Sequence, residues 1–457
     1  MLPILPIDTG RYGTLEMRRI FEEENRLQKM LDVEAALAWA HGEVGNIPRE
    51  DAERILRTAS IDRVKLRRVK EIEREIKHET MAVVRALAEA CGPSGGYVHL
   101  GATSSDILDT AMALQLREAI NLVEKRLNDF EKTLMEKAEQ YKDTIMIGRT
   151  HGQHALPITL GFKFSVWVRE TARHIERLRE CRKRVLVGKM SGAVGTQAGF
   201  GLHAMKIQRL VMERLGIEPV EISTQIIQRD RYAEFVCLFA IMASTLDKIA
   251  IEIRELQRTE IGEVSELFER EKQVGSSTMP HKRNPEICER VSGLAKIVRS
   301  LAIPALENIP TWHERDLTQS SAERFIIPET CILTDYMLAL IMNVLTYLYI
   351  DKEGMWKNVE LTQGRTMSEA VMLTLTRKGM DRQRAHELIR GLTIKSEVEK
   401  LPFREVLLKN DLVKRMLSQK EIDEALDPRN YLGTAVEQVK LAIEKTKRER
   451  EARGLPG

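Results

Sequence analysis

The stretch Phe235–Leu256, FVCLFAIMASTLDKIAIEIREL, places Phe235, Phe239, Met242, Leu246, Ile249, Ile253 and Leu256 alternately four and three residues apart. That spacing keeps an apolar seam on one side of an α-helix and gives the shallow crossing angle of a bundle. Leu238, Ile241 and Ile251 make a second face apolar, so more than one side is covered. The same spacing runs through Leu116, Ile120, Val123, Leu127, Phe130 and Leu134. A third segment, Ile332–Ile350, is apolar nearly all round, as helices at the centre of an assembly are. It is long enough to span a membrane, but Asp335 and Asn343 interrupt it and no second span partners it. A buried bundle helix is the preferred reading.

Working outward, shorter amphipathic helices are expected at Leu27–His41, ended by Gly42, and at Val64–Ala90, ended by Cys91-Gly92-Pro93 and Gly95-Gly96. After Ile350 the periodicity continues in shorter pieces, and Lys445–Arg453 reads as a solvated, mixed-charge helix end. Neither a fixed-period repeat nor an alternation of strands and helices is present. The pattern predicts an all-α fold of three helical domains: 1–105, a central long-helix bundle over 106–350, and 351–457.

Of the 457 residues, 43% are hydrophobic and 30% charged, enough for a large core and a soluble surface. Lys and Arg number 71 against 68 Asp and Glu, a net charge of +3. That balance excludes strong general attraction to nucleic acid, so any anion binding must come from local placement. The cysteines, Cys91, Cys181, Cys237, Cys288 and Cys331, form no CxxC pair. Their scatter argues against a disulfide framework or zinc site and fits a reducing cytoplasm. Met1–Gly10 is broken by Pro3 and Pro6 and lacks a basic leader, so it does not read as a signal peptide.

Polar, Gly-rich stretches interrupt the long helices. Tyr97–Asp106, with Thr103-Ser104-Ser105-Asp106, reads either as an N-cap cluster or as an anion site at a helix start. In Gly148–Ala155 the histidines are His151 and His154. Without HExxH or an acidic partner a metal is not indicated, and His151, in a polar turn, suits proton donation. Gly275–Pro285, GSSTMPHKRNP, is a polar loop on a helical frame. It lacks the order of a P-loop, as does Gly188–Thr196, which follows no predicted strand; nucleotide triphosphate chemistry is disfavoured.

The loop GSSTMPHKRNP resembles the signature loop of the fumarase/aspartase superfamily, with Thr103-Ser104-Ser105-Asp106 and Thr150-His151 in the expected order. The resemblance extends over essentially the whole chain. Arg11-Tyr12-Gly13, Ser223-Thr224-Gln225 with Gln228–Arg231, Trp312–Asp316 and Ser320–Arg324 are similar to the adenylosuccinate lyase branch. Glu79 stands beside His78 where many relatives carry Asp. The resemblance implies β-elimination of fumarate from adenylosuccinate and from the succinyl-carboxamide ribotide of purine synthesis, without metal or organic cofactor. It implies Ser276 as base, acting as an alkoxide, and His151 as the general acid. Lys282 and Asn284 would hold substrate carboxylate, and Glu289 would orient His151. His78 and His99 resemble the family's phosphate-binding and acid-orienting histidines. Thr103, Ser104, Thr150, Gln225 and Asn284 would take the succinyl carboxylates, and Arg11, Tyr12, Arg290, Arg315, Ser320 and Arg324 the phosphate and nearby nucleotide. Gly275 would hinge the loop. The superfamily builds its site at the corners of a homotetramer from three subunits. Competing readings are a 3-carboxymuconate cycloisomerase, whose substrate lacks phosphate, and a helical scaffold that has lost its chemistry.

Overall fold

A computed structural model describes residues 4–267 and 278–456. Helices carry the fold, and the described strands form three two-stranded sheets. The two 4–3 seams lie inside the long helices Ser104–Gln140 and Asp230–Leu256, and every seam residue is buried. The third apolar segment belongs to a longer helix, Thr318–Thr346, that begins well before Ile332; Tyr349–Ile350 pairs instead with Val264–Ser265 as a short sheet. Asp316 starts this helix early, its Oδ1 accepting from the Thr318 N–H at 2.8 Å. By length and composition the helix would cross a membrane, but 61% of its most apolar window is buried within the chain. That is how a core helix behaves.

Cα packing divides the chain into two compact units. The first comprises Met1–Asn128, His174–Asp247 and Val291–Leu340. Its main core joins the helix Glu23–Glu43 to Val83, Leu87, Ile107, Leu114, Phe200 and Val211. The expected single helix over Val64–Ala90 is two helices, Leu66–Ile76 and Glu79–Cys91. Lys77 takes a left-handed φ of 57° and stops the first; His78 caps the second, its Nδ1 accepting from the Met81 N–H at 3.2 Å. His78 therefore stands at a helix start rather than within a charged helix.

The second unit comprises Asp129–Arg173, Lys248–Arg290 and Ile341–Gly457. The polar stretch expected as a turn is the tip of a β-hairpin, Ile145–Thr150 against Gln153–Thr159. Ile145, Met146 and Ile147 supply one strand, and a two-residue loop closes it. Val371, Leu375, Phe403 and Leu407 centre the core of the C-terminal helices. The helix Ala435–Ala452 is anchored by a buried carboxylate, Glu131, which takes both Arg450 and Arg453. Removing one partner of such a group leaves the other charges unpaired out of water. Glu131→Ala is expected to lower stability by about 3–5 kcal/mol, read as a fall in the thermal midpoint with the far-ultraviolet spectrum of the folded state unchanged.

Candidate active site

In the first unit a cavity of about 250 Å³ is lined by Arg26, Arg229, Arg315 and Arg324 together with Ser105, Asp109, Gln319, Ser320 and Glu323. Gln319, Ser320, Glu323 and Arg324 come from the first turns of the Thr318–Thr346 helix, and i, i+3 and i+4 spacing sets Ser320, Glu323 and Arg324 on one face. Arg229 is 5% exposed and is held by two carboxylates. It donates to Asp109 through Nη1 and Nη2, both at 2.9 Å, and to Glu323 through Nε at 2.7 Å. Burial pushes Asp109 up, but Arg229 outweighs it and holds the carboxyl below its usual range. Burial prevails at Glu323, whose pKa is raised. The difference has a cause: Asp109 also has the Lys189 charge and the Ile227 N–H, at 2.9 Å.

The remaining arginines are not matched one to one. Arg26 and Arg324 share a single carboxylate, Glu79. Burial raises Glu79, and Arg26 followed by Arg324 overturns that and lowers it. Arg315 meets a neutral amide, its Nη1 donating to Gln225 Oε1 at 2.9 Å, while its buried Nε has no hydrogen-bond partner among the described residues. Gln319 Oε1 and the Tyr232 hydroxyl, on residues that line the cavity, are also buried and unpartnered among the described residues. Two guanidinium groups on one carboxylate, a third on an amide and a hydroxyl at Ser320 are a donor set of the kind that suits an anion, because planar guanidinium forks bind phosphate and carboxylate oxygens in pairs.

A second cluster in this unit surrounds His99, which takes a left-handed φ of 68°. Its Nδ1 lies 2.6 Å from Oε1 of the buried Glu34. Asp106 reaches back to accept from the Thr103 N–H at 2.8 Å, so the acid of the Thr103–Asp106 group is a cap, as one of its two sequence readings had it. Arg11 and Tyr12 are not on the cavity; the Arg11 guanidinium lies 5.9 Å from the Tyr12 ring, and that ring is 6.0 Å from Tyr336.

Thr150, His151, Lys282, Asn284, Glu289 and Arg290 belong to the second unit. His151 and Gly152 form the hairpin tip with φ of 53° and 74°, the mirror-image turn that tight hairpins favour. That turn usually takes Asn-Gly; a histidine pays conformational strain there and is held out into solvent. The hairpin is anchored by Arg149, which grips the buried Glu263 at 3.0 and 2.7 Å, with Asn358 on the same carboxylate at 2.8 Å. His154 is lowered by burial and then by Arg149, which disfavours a cation beside it. Lys282 and Glu289 are exposed, and His151 and Glu289 make no hydrogen bond to each other among the described residues. Glu266 starts the helix Glu286–Ser300 by accepting from the Ile287 and Cys288 N–H groups at 3.1 and 2.7 Å. Ser276 and Gly275 lie outside the described residues.

The sequence reading passed over Arg26, Glu34, Lys189, Tyr232 and the bracket around Arg229. A charged residue on an apolar helix face, as Glu34 is within Leu31–Ala38, was the available signal.

Residues 10–299 match the family described as Lyase, and residues 364–442 match the family described as adenylosuccinate lyase C-terminus. The chain is similar to adenylosuccinate lyase of Pyrococcus abyssi, 55% identical over 454 residues covering 99% of this chain and all of that one. It is also similar to adenylosuccinate lyase of Methanocaldococcus jannaschii, 49% identical over 98% of this chain and 97% of that one. Among solved structures, the 3-carboxy-cis,cis-muconate lactonizing enzyme from Pseudomonas putida is similar, with TM-score 0.89 and 34% identity over 97% of this chain and 99% of that one.

His99 generates a pH prediction. Burial lowers its pKa, but the Glu34 hydrogen bond and charge, with Asp106, outweigh burial and raise it above 6.5. A raised folded-state value gives stability that is fully present below pH 6.5 and is lost as pH rises through the folded pKa. Thermal midpoints measured from pH 5.5 upward should show that decline in the wild type, and Glu34→Gln should remove this part of the slope.

Proposed function

This chain belongs to the adenylosuccinate lyase family, and on that premise we propose that it eliminates fumarate from two purine-pathway substrates. Adenylosuccinate gives AMP, and the succinyl-aminoimidazole-carboxamide ribotide gives its free carboxamide. The enzyme is a carbon–nitrogen lyase. The observation that carries the nucleotide assignment is the excess of guanidinium over carboxylate at Arg26, Arg315 and Arg324, beside Ser320. A phosphate-free tricarboxylate, as in the cycloisomerase reading, offers those arginines no phosphate apart from the reacting carboxylates. Arg11, Tyr12, His78 and Arg290 complete the phosphate and nucleotide contacts in this reading.

The base, Ser276 as alkoxide, takes the proton from the carbon beside a succinyl carboxylate. The electron pair left on carbon is delocalised into that carboxylate as a doubly charged aci-acid. Lys282 stabilises this charge, aided by Asn284, and fixed positive groups at developing charge supply the largest catalytic contribution in such sites. The pair then forms the C=C bond of fumarate as the C–N bond breaks, and His151 protonates the departing nitrogen. Its exposed, strained position at the hairpin tip supports a role toward a ligand rather than a packing role. Glu289 orients His151, His99 assists, and Thr103, Ser104, Thr150 and Gln225 bind the succinyl carboxylates.

The working form in this proposal is a homotetramer in which three subunits contribute to each site. Large apolar side chains exposed on one chain, among them Ile297, Ile303, Leu306, Ile309, Leu317 and Phe325, support burial against further copies. Five unpaired thiols, four of them buried, support a reducing cytoplasm.

Offering adenylosuccinate, argininosuccinate and 3-carboxymuconate side by side in a spectrophotometric assay should give turnover of the first alone; exclusive turnover of the third would overturn the reading. Ser276→Ala should cut kcat by about 10²–10⁴-fold while nucleotide still binds. Arg324→Met should raise KM about tenfold or more, as loss of a charged hydrogen bond does, with a smaller change in kcat.

A further inference from the structure

Lys189 and Asp106 form an ion pair in which both side chains are fully buried, and the elimination described above uses neither. Such a pair is weak evidence of stability, since apolar residues of similar volume often do as well. What it touches is more informative. The Asp106 carboxylate accepts from Lys189 Nζ, from the Thr103 N–H at 2.8 Å, from the Ser191 N–H at 2.8 Å and from the Gly192 N–H at 3.2 Å. Thr110 braces the same place, its Oγ1 accepting from the Lys189 N–H at 3.1 Å and donating to the Lys189 carbonyl at 3.2 Å.

From there the connections continue outward. Ser191 Oγ lies 2.8 Å from Ser223 Oγ, and Gln225 Nε2 donates to the Ala193 carbonyl at 2.7 Å. Gln225 Oε1 in turn accepts from Arg315. Gly195 allows the approach: with φ of 95°, a Cβ there would lie 2.1 Å from the Ser223 carbonyl oxygen. One buried pair thus holds the turn that carries Thr103 and Ser104 directly, and, through Ser191 and Gly192 and the backbone to Ala193, the segment that carries Gln225. The side-chain hydroxyls of Thr103 and Ser104 make no hydrogen bond among the described residues.

We propose that Lys189 and Asp106 are the positioning pair of the succinyl subsite. They touch no substrate; they hold Thr103–Ser104 and Gln225 in register for the two carboxylates of a four-carbon dicarboxylate. The inference rests on the lyase reading and deepens it by naming what builds the dicarboxylate end of the site.

The double variant Lys189→Met/Asp106→Asn removes both charges and leaves none buried alone. The control is Arg450→Met, which breaks the buried Glu131 pair far along the sequence. Both should lose thermal stability. In the double variant the inhibition constant of fumarate should rise about tenfold while that of AMP stays within about twofold, and kcat/KM should fall about 100-fold. Arg450→Met should leave both inhibition constants at wild-type values. Equal shifts for fumarate and AMP, or wild-type constants in the double variant, would overturn the proposal. Should the double variant not fold, Ser191→Ala removes the Ser191–Ser223 step of this path while keeping the Ser191 N–H on Asp106, and it should weaken fumarate inhibition alone; an unchanged constant there also overturns the proposal. Failure of the lyase reading itself is separate, because the wild-type enzyme would then not turn over adenylosuccinate.

Discussion

A guanidinium removed from water keeps its charge, so it must be given anions. That constraint organises the first unit. Arg229 cannot be neutralised by losing a proton, and its near-complete burial requires the two carboxylates that bracket it. Asp109 lies in the helix Ser104–Gln140, Glu323 in Thr318–Thr346, and Arg229 directly before Asp230–Leu256. Three long helices are therefore tied at one point, and the cavity opens beside that tie. Replacing Arg229 alone would strand two acids; replacing either acid alone would strand part of a cation. The cost of breaking such a group exceeds the gain of having formed it, which makes it a device for fixing geometry.

The neighbouring arginines obey the opposite rule. Arg324 is exposed and Arg315 partly so, and water can carry part of their charge while the cavity is open. Glu79 satisfies half of what Arg26 and Arg324 together could bind. In the proposed nucleotide site this balance supplies enough internal anion to keep the arginines ordered and too little to use up their donors. A fully compensated cluster would bind nothing, and an uncompensated one would repel its own members.

The seams were legible because burial at four- and three-residue spacing is a local signal, and the long helices follow it closely. The helix break at Lys77-His78 was not legible, since lysine rarely takes positive φ and histidine is an uncommon N-cap. The hairpin was missed because its tip reads His-Gly instead of Asn-Gly. The Gly188–Thr196 run was read only as a failed phosphate loop. Its Gly195 is there because a backbone carbonyl passes where a Cβ would be. The ion pairs were beyond sequence reasoning: Asp106 and Lys189 are 83 residues apart, Asp109 and Arg229 120, and Glu79 and Arg324 245. Each partner alone looks like a surface charge, and only the fold supplies the other.

Backbone strain adds a further argument. Among the described non-glycine residues with positive φ, three are histidines: His99, His151 and His313. A left-handed conformation costs an L-residue free energy that asparagine or glycine would spare. At His99 the return is explicit, because the strained backbone delivers the imidazole to the buried Glu34 carboxylate. His151 has no such partner among the described residues, and its ring is exposed at the hairpin tip. His313 sits in Trp312–Asp316, where Asp316 accepts from the Trp312 N–H at 2.8 Å and closes the turn that presents Arg315. In all three places the strained residue lies within four positions of a polar or charged side chain, Thr103, Thr150 or Arg315, so the backbone there is set by what those segments present and not by conformational ease.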